Sequence, residues 1–142
     1  MTTIRNPSFA RDIAASFARQ GALSLIGAEL EEIAPGKCTV RLPITKKVRQ
    51  HHGFVHGGFV ATIADVAGGY AAMSLFDSEK EVLTVEYKIN FLAPADGVSL
   101  IARAHVVRNG RTLTVTQAEV AAEQEDGSER PCALVQQTSM AG

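Results

Sequence analysis

Tryptophan is absent from this chain, cysteine occurs only twice, and aromatic residues make up just 6%. Cys38 and Cys132 cannot build a disulfide framework, and neither has a spacing that would hold zinc. Both fall in strand-like stretches, so the expectation is two buried thiols in a reduced, cytoplasmic protein. An excess of either charge is also missing, since 14 Lys and Arg stand against 15 Asp and Glu. The bases are scattered, which excludes a basic stripe for nucleic acid or an anionic membrane. No low-complexity tract, internal repeat or linker is visible, so one domain over residues 1–142 is expected. The opening MTTIRNPSFARDIAASF has no uninterrupted apolar core and does not read as a secretory signal.

What the chain does have is one long apolar run, GGFVATIADVAGGYAAMSLF, from Gly57 to Phe76. Its single charge is Asp65. As a helix it would be roughly 30 Å long, and a helix apolar on every side must be buried on every side. That length also fits a membrane span, but the central aspartate, four glycines and strand-like flanks argue against one. The run predicts a helix inside a soluble domain, with Asp65 as a buried carboxylate.

Around it the pattern alternates with period two. Asn6-Pro7 signals a helix start, and Phe9, Ile13 and Phe17 form one stripe, with Gly21 as the stop. Ile26, Ala28 and Leu30 predict a first strand; Cys38, Val40, Leu42 and Ile44 a second, with Pro43 arguing for an edge. Leu83, Val85, Tyr87, Ile89 and Phe91 alternate with Thr84, Glu86, Lys88 and Asn90 in the clearest strand. Leu100 to Val106 follows, then the Asn109-Gly110 hairpin, Thr112 to Glu123 with a bulge expected near Gln117, and a weaker Ala133 to Met140. Segregated elements of this kind predict an α+β fold in which a meander of the last four strands helps cover the helix. Its open edges make a homo-oligomer the natural completion.

Gly57-Gly58 stands where the long helix begins, where orphan amides and the helix dipole can stabilise an oxyanion. The glycine pair also serves tight packing, and the residues alone leave the two readings even. Asp65 lies seven residues past Gly58, on nearly the same face but roughly 10 Å further along the axis. That is too far for both to act on one carbonyl within one chain; a second subunit would cure it. Buried acids are rare unless paired or used, which favours a functional Asp65. His51, His52 and His56 suggest a metal site only superficially. Gly53 breaks the helical spacing of His52 and His56, and no carboxylate or cysteine is close in sequence, so no metal is expected. His56 is expected to fix the turn into the helix, and His105 to lie on a polar strand face.

Gly53-Phe54-Val55-His56-Gly57-Gly58 with Asp65, the apolar helix, and Thr84-x5-Asn90-Phe91-x2-Pro94 together resemble the PaaI-type acyl-CoA thioesterases of the hotdog fold. The Asn109-Gly110-Arg111 hairpin fits as well, and the resemblance runs from about Ile26 to the C-terminus. It implies a long central helix wrapped by a curved antiparallel sheet of about six strands, after a short N-terminal helix. It also implies hydrolysis of acyl-CoA thioesters without metal or cofactor, in dimers or tetramers with active sites at the dimer interface. Carried over, the Gly57 amide polarises the thioester carbonyl with Gly58 close by. Asp65 of the other chain activates water or attacks directly, and Thr84 orients the water. Where the family often has Asn six residues before the motif His, this chain has the longer Gln50; His51 or His52 is the other candidate for that role. Strand parity is a second open point: if Leu83, Val85 and Tyr87 face the helix, Thr84 faces away. The acyl group is expected against Phe54, Val55 and Phe59, with His51, His52 and His56 nearby. Two other readings share the fold: an enoyl-CoA hydratase or dehydratase pairing His56 or His52 with the acid, and a non-catalytic acyl-CoA binder.

Overall fold

The computed structural model describes residues 3–142; Met1 and Thr2, the start of the segment weighed as a signal, lie outside the described residues. In chain order the elements are helices α1 (Phe9–Arg19) and α2 (Gly21–Ile26), strands β1 (Glu29–Ala34) and β2 (Lys37–Pro43), and helix α3 (Gly57–Met73). Strands β3 (Val82–Phe91), β4 (Ser99–Asn109), β5 (Leu113–Glu123) and β6 (Glu129–Ala141) complete the fold. All six strands form one antiparallel sheet in the order β1-β2-β4-β5-β6-β3. Helix α3 packs against every strand, giving the wrapped α+β arrangement that the resemblance implies.

The core lies between the helix and the inner sheet face. Ile63, Ala64, Ala67 and Ala71 of α3 are fully buried, as are Val40 and Leu42 of β2 and Leu100 and Ala102 of β4. Small side chains on α3 let the sheet come close. Burying each of the large ones contributes about 1.5–3 kcal/mol before chain entropy is counted.

Several boundaries differ from the sequence expectation. Residues 21–26 are helical, so Ile26 ends a helix instead of starting the first strand, which begins at Glu29, and Gly21 begins α2 instead of ending α1. Leu23 and Ile26, three apart, are the buried pair of that turn, and Gly27 at φ +79° closes it in the left-handed region glycine favours. The long helix ends at Met73, and Ser74 to Phe76 turn away from it, still buried. The last four strands are not a sequential meander. Strand β3 pairs with β6 at the far edge, while β4 crosses to pair with β2. The linker containing Pro94 and Asp96-Gly97 makes that crossing. No bulge occurs at Gln117, which pairs in register with His105; the irregularities fall between Val106 and Arg108 and between Val120 and Ala121. Strand β6 is the longest in the sheet, at 13 residues. Pro43 sits on an interior strand, yet its local logic holds. The neighbouring Ile44 amide bonds to Val98, so the ring faces the β1 side, where pairing stops at Arg41.

Candidate functional site

The glycine pair opens α3 as expected, but its two amides differ. His56 is the N-cap residue, and its Nδ1 accepts from the Gly58 N–H at 3.0 Å. Accepting at Nδ1 places the imidazole proton on Nε2, so this cap is made by neutral histidine. The Gly57 N–H has no acceptor among the described residues. It opens on an apolar groove of about 480 Å³ lined by Gln50, Phe54, Val55, Val60, Phe91 and Pro94, among others. A Cβ on Gly57 would come within 3.1 Å of the Phe91 ring, so glycine keeps that approach open.

The loop before α3 is tied down from several directions. His56 N–H donates to the Val48 carbonyl at 2.9 Å and Val55 N–H to the Ala95 carbonyl at 2.8 Å. Arg49 bonds Asp96 at 2.8 Å, which holds that carboxyl below its usual range. Gln50 accepts from the His52 backbone N–H through Oε1, leaving its Nε2 as a donor beside the groove. His51 and His52 lie with ring centroids 4.0 Å apart, both exposed, and neither lines the groove. Phe59 packs edge-on to His56 and does not line it either. Cys132 does, but burial pushes its thiol up to about 11 and it donates to the Val120 carbonyl. That is a packing group, not a thiolate nucleophile.

Asp65 is half-buried and faces a separate cleft of about 330 Å³. The Thr84 hydroxyl donates to its Oδ1 at 2.7 Å. The Gln137 amide donates to the same oxygen and to the Asp65 backbone carbonyl at 3.0 Å. On its other side Gln137 Oε1 accepts from the Thr116 and Ser139 hydroxyls, each at 3.2 Å. These contacts fix which end of the amide faces the carboxylate, and they hold Asp65 in one rotamer.

The parity problem at Thr84 is resolved by a bulge. Thr84 pairs with buried Ser139 and Ile89 with buried Val135, an odd spacing that alternation forbids. The register shift between Thr84 and Glu86 absorbs the extra residue, so both side chains reach the inner face. Leu83 and Val85 are then 55% and 53% exposed on the edge strand.

Sequence reasoning missed Gln137, Thr116, Ser139 and Gly68. The signal was present: Val135, Gln137 and Ser139 share one strand face, and a glutamine among inward apolar positions demands a partner. A Cβ on Gly68 would fall 2.5 Å from Gln137 Oε1 and 2.8 Å from Thr116 Oγ1, so only glycine lets the polar network lie against the helix. Among the described residues no three His, Cys, Asp or Glu side chains converge to hold a metal, and no helix is long and apolar enough to cross a membrane.

Comparison with known proteins agrees with this architecture. The family model of the thioesterase superfamily matches residues 52–128, more than half the chain. The crystal structure of a thioesterase family protein from Silicibacter pomeroyi superposes with a TM-score of 0.90 at 45% identity, covering 94% of this chain and 97% of that one. A Halobacterium salinarum protein with an esterase name is 35% identical over 116 residues, 78% of this chain and 76% of its own. The 1,4-dihydroxy-2-naphthoyl-CoA hydrolase of Listeria monocytogenes is 29% identical over 105 residues, 74% of this chain and 85% of its own. With a free helix-terminal amide, a hydrogen-bonded aspartate and these relatives, the chain belongs to the thioesterase superfamily and has the hotdog fold of its PaaI-type members.

Proposed function

We propose that the protein hydrolyses acyl-CoA thioesters at a site made by two copies of the chain. The observation that carries this reading is the separation of the two groups. The free Gly57 amide and the Asp65 carboxylate open on different clefts of one chain. Each is half of a hydrolytic site, and a second copy supplies the other half. The exposed edge strand β3, with Leu83 and Val85 outward, is the surface for that pairing, because an unpaired edge invites a second strand. A two-fold axis there would generate two equal sites.

In such a site the thioester carbonyl accepts from the Gly57 N–H, with Gln50 Nε2 as a second donor from the same rim. Asp65 of the other chain takes a proton from water as its oxygen attacks the carbonyl carbon. The resulting oxyanion is stabilised by the helix terminus, and its collapse expels the CoA thiolate and leaves the free acid. Thr84 and Gln137 both donate to Asp65 Oδ1, so the second oxygen is the one available to the water. An oxyanion donor typically contributes ~10²–10³ in turnover and a general base ~10²–10⁴. The name of the Listeria relative, a CoA-thioester hydrolase, supports the same substrate class. A dehydratase needs a histidine beside the acid, but His56 Nδ1 is committed to the helix cap and His52 lies in the exposed loop.

The test is release of free thiol from a panel of aromatic and aliphatic acyl-CoAs, comparing wild type with Asp65→Asn. Turnover by wild type that drops ~10²–10⁴-fold in the variant is expected. No turnover of any thioester by folded wild-type protein would end the proposal, and an undiminished variant would remove Asp65 from it.

A further inference from the structure

The apolar groove in front of the Gly57 amide has two lips, and they are held in different ways. One lip is the crossover linker, which contributes Pro94 and Ala95. It is moored to the sheet: the Val98 N–H donates to the Glu123 carbonyl at 2.7 Å, and Gln124 Nε2 donates to the Asp96 carbonyl at 2.9 Å. The Asp96 carboxylate is aimed by the Gly97 N–H, which donates to its Oδ1 at 2.9 Å. The other lip is the loop 49–55, which carries Gln50 and Phe54. Its tip is a turn closed on itself: the Gly53 N–H donates to the Gln50 carbonyl at 2.9 Å and the Gln50 N–H to the Phe54 carbonyl at 2.8 Å. His51, His52, Gly53 and Phe54 are all exposed there, so packing does little to hold the tip in place.

One side chain joins the two lips. Arg49 Nη1 donates both to the Gly53 carbonyl at the tip and to Asp96 Oδ1 at 2.8 Å. Among the described residues this is the only side-chain hydrogen bond between the lips, and the Val55–Ala95 backbone bond ties them at the base. Neither Arg49 nor Asp96 lines the groove, so neither touches a carbonyl bound in it. Their side chains are 30% and 56% exposed, and an ion pair so open to water adds little to global stability. What the clasp fixes is the tip, and with it Gln50, the residue next to Arg49. Gln50 Oε1 accepts from the His52 N–H of the same tip, so its free Nε2 goes wherever the tip goes. The Gly57 amide does not, because it is set by the helix and by the His56–Val48 bond at 2.9 Å.

We infer that Arg49 and Asp96 are positioning residues that clasp the groove and aim Gln50 Nε2 at the carbonyl held by Gly57. This rests on the thioesterase reading, in which Gln50 is the second donor. An oxyanion donor is effective when it is already in place as the charge develops, because ordering it during the reaction would offset the gain. A tip that swings by about an ångström takes the amide out of hydrogen-bond reach, and a misplacement of that order can cost ~10²-fold. The two donors are thus positioned by different means, Gly57 by the main chain and Gln50 by its neighbour's charge. Arg49 acts on the reaction through Gln50.

The experiment measures kcat and KM for the acyl-CoA that wild type cleaves fastest in the thiol-release panel. The proteins compared are wild type, Arg49→Met, Asp96→Ala, Gln50→Ala and the double variant Arg49→Met with Gln50→Ala. Each single variant is expected to lower kcat about tenfold or more, with KM changed less than about twofold. Adding Arg49→Met to Gln50→Ala is expected to lower kcat no further, since the donor it aims is already gone. A double variant in which the two losses multiply overturns the inference, as does wild-type kcat in any single variant. Should wild type cleave no acyl-CoA, the hydrolytic reading fails separately. Amide hydrogen exchange then decides the clasp. Faster exchange at Gln50 and Gly53 in Arg49→Met, with α3 unchanged, supports it, and unchanged exchange at both overturns it.

Discussion

Two regions of α3 carry the candidate chemistry, and they are built in opposite ways. At the N-terminus the Gly57 amide is left bare, on an exposed rim held by loop contacts such as Arg49 to Asp96. Two turns later the Asp65 carboxylate is gripped from behind by Thr84 and Gln137, which is itself held by Thr116 and Ser139. The first region supplies an electrostatic donor that needs only a clear approach. The second supplies a side chain whose direction must be fixed, and a buried polar network fixes it. The difference teaches that a backbone group is positioned by the helix itself, whereas a carboxylate needs a scaffold of partners.

The largest effect is expected from separating the two regions onto different chains. Asp65→Asn and Gly57→Val proteins should each lose ~10²-fold or more in turnover. Refolded together, they should regain roughly a quarter of wild-type activity, because mixed dimers hold one intact site. No regain, with mixed dimers verified by mass spectrometry, would mean that both groups act within one chain.

Next comes the scaffold. Gly68→Ala gains up to about 1 kcal/mol of helix propensity, but its Cβ would collide with Gln137 and Thr116, an overpacking cost of about 1–3 kcal/mol. The net expectation is lower stability in urea denaturation together with reduced kcat, since Gln137 must move. Gln137→Leu should leave the Thr116 and Ser139 hydroxyls without their acceptor and cost about 1–3 kcal/mol, again with a fall in kcat more than a rise in KM. A Gln137 variant with unchanged kcat would show that Asp65 needs no such support.

The smallest effect concerns pH. Burial raises the Cys38 thiol to about 12 and the Cys132 thiol to about 11, from an ordinary 9.0. Because the folded state keeps protons that the unfolded chain gives up, stability is full below pH 9 and declines as pH rises through 11 and 12. Cys38→Ala and Cys132→Ala should flatten that alkaline decline in denaturation curves, whereas a decline unchanged in both would place its origin elsewhere.

Much of the fold was legible because it follows from period and punctuation. The apolar run, interrupted by Asp65 and four glycines, read as an enclosed helix in preference to a membrane span, and Asn109-Gly110 marked its hairpin. The parity of Thr84 was not legible: an alternating sequence carries no mark of a one-residue bulge, which is decided by how β3 meets β6. For the same reason Gln137 passed as part of a weak strand, although it is 1% exposed and central to the polar network. Gly21 and Ile26 misled at the boundaries: Gly21 opens α2 instead of stopping α1, and Ile26, placed in the first strand by its alternation with Ala28 and Leu30, closes that helix.

The sequence by itself determined the enclosed helix, the bare glycine terminus and the aspartate two turns beyond, because helical period is a local property. Only the tertiary structure decided that Asp65 is held by Gln137 of a strand 72 residues away, and that Gly57 and Asp65 face separate clefts. Those relations depend on strand order and register, which are fixed by the packing of the whole sheet and not by any one segment.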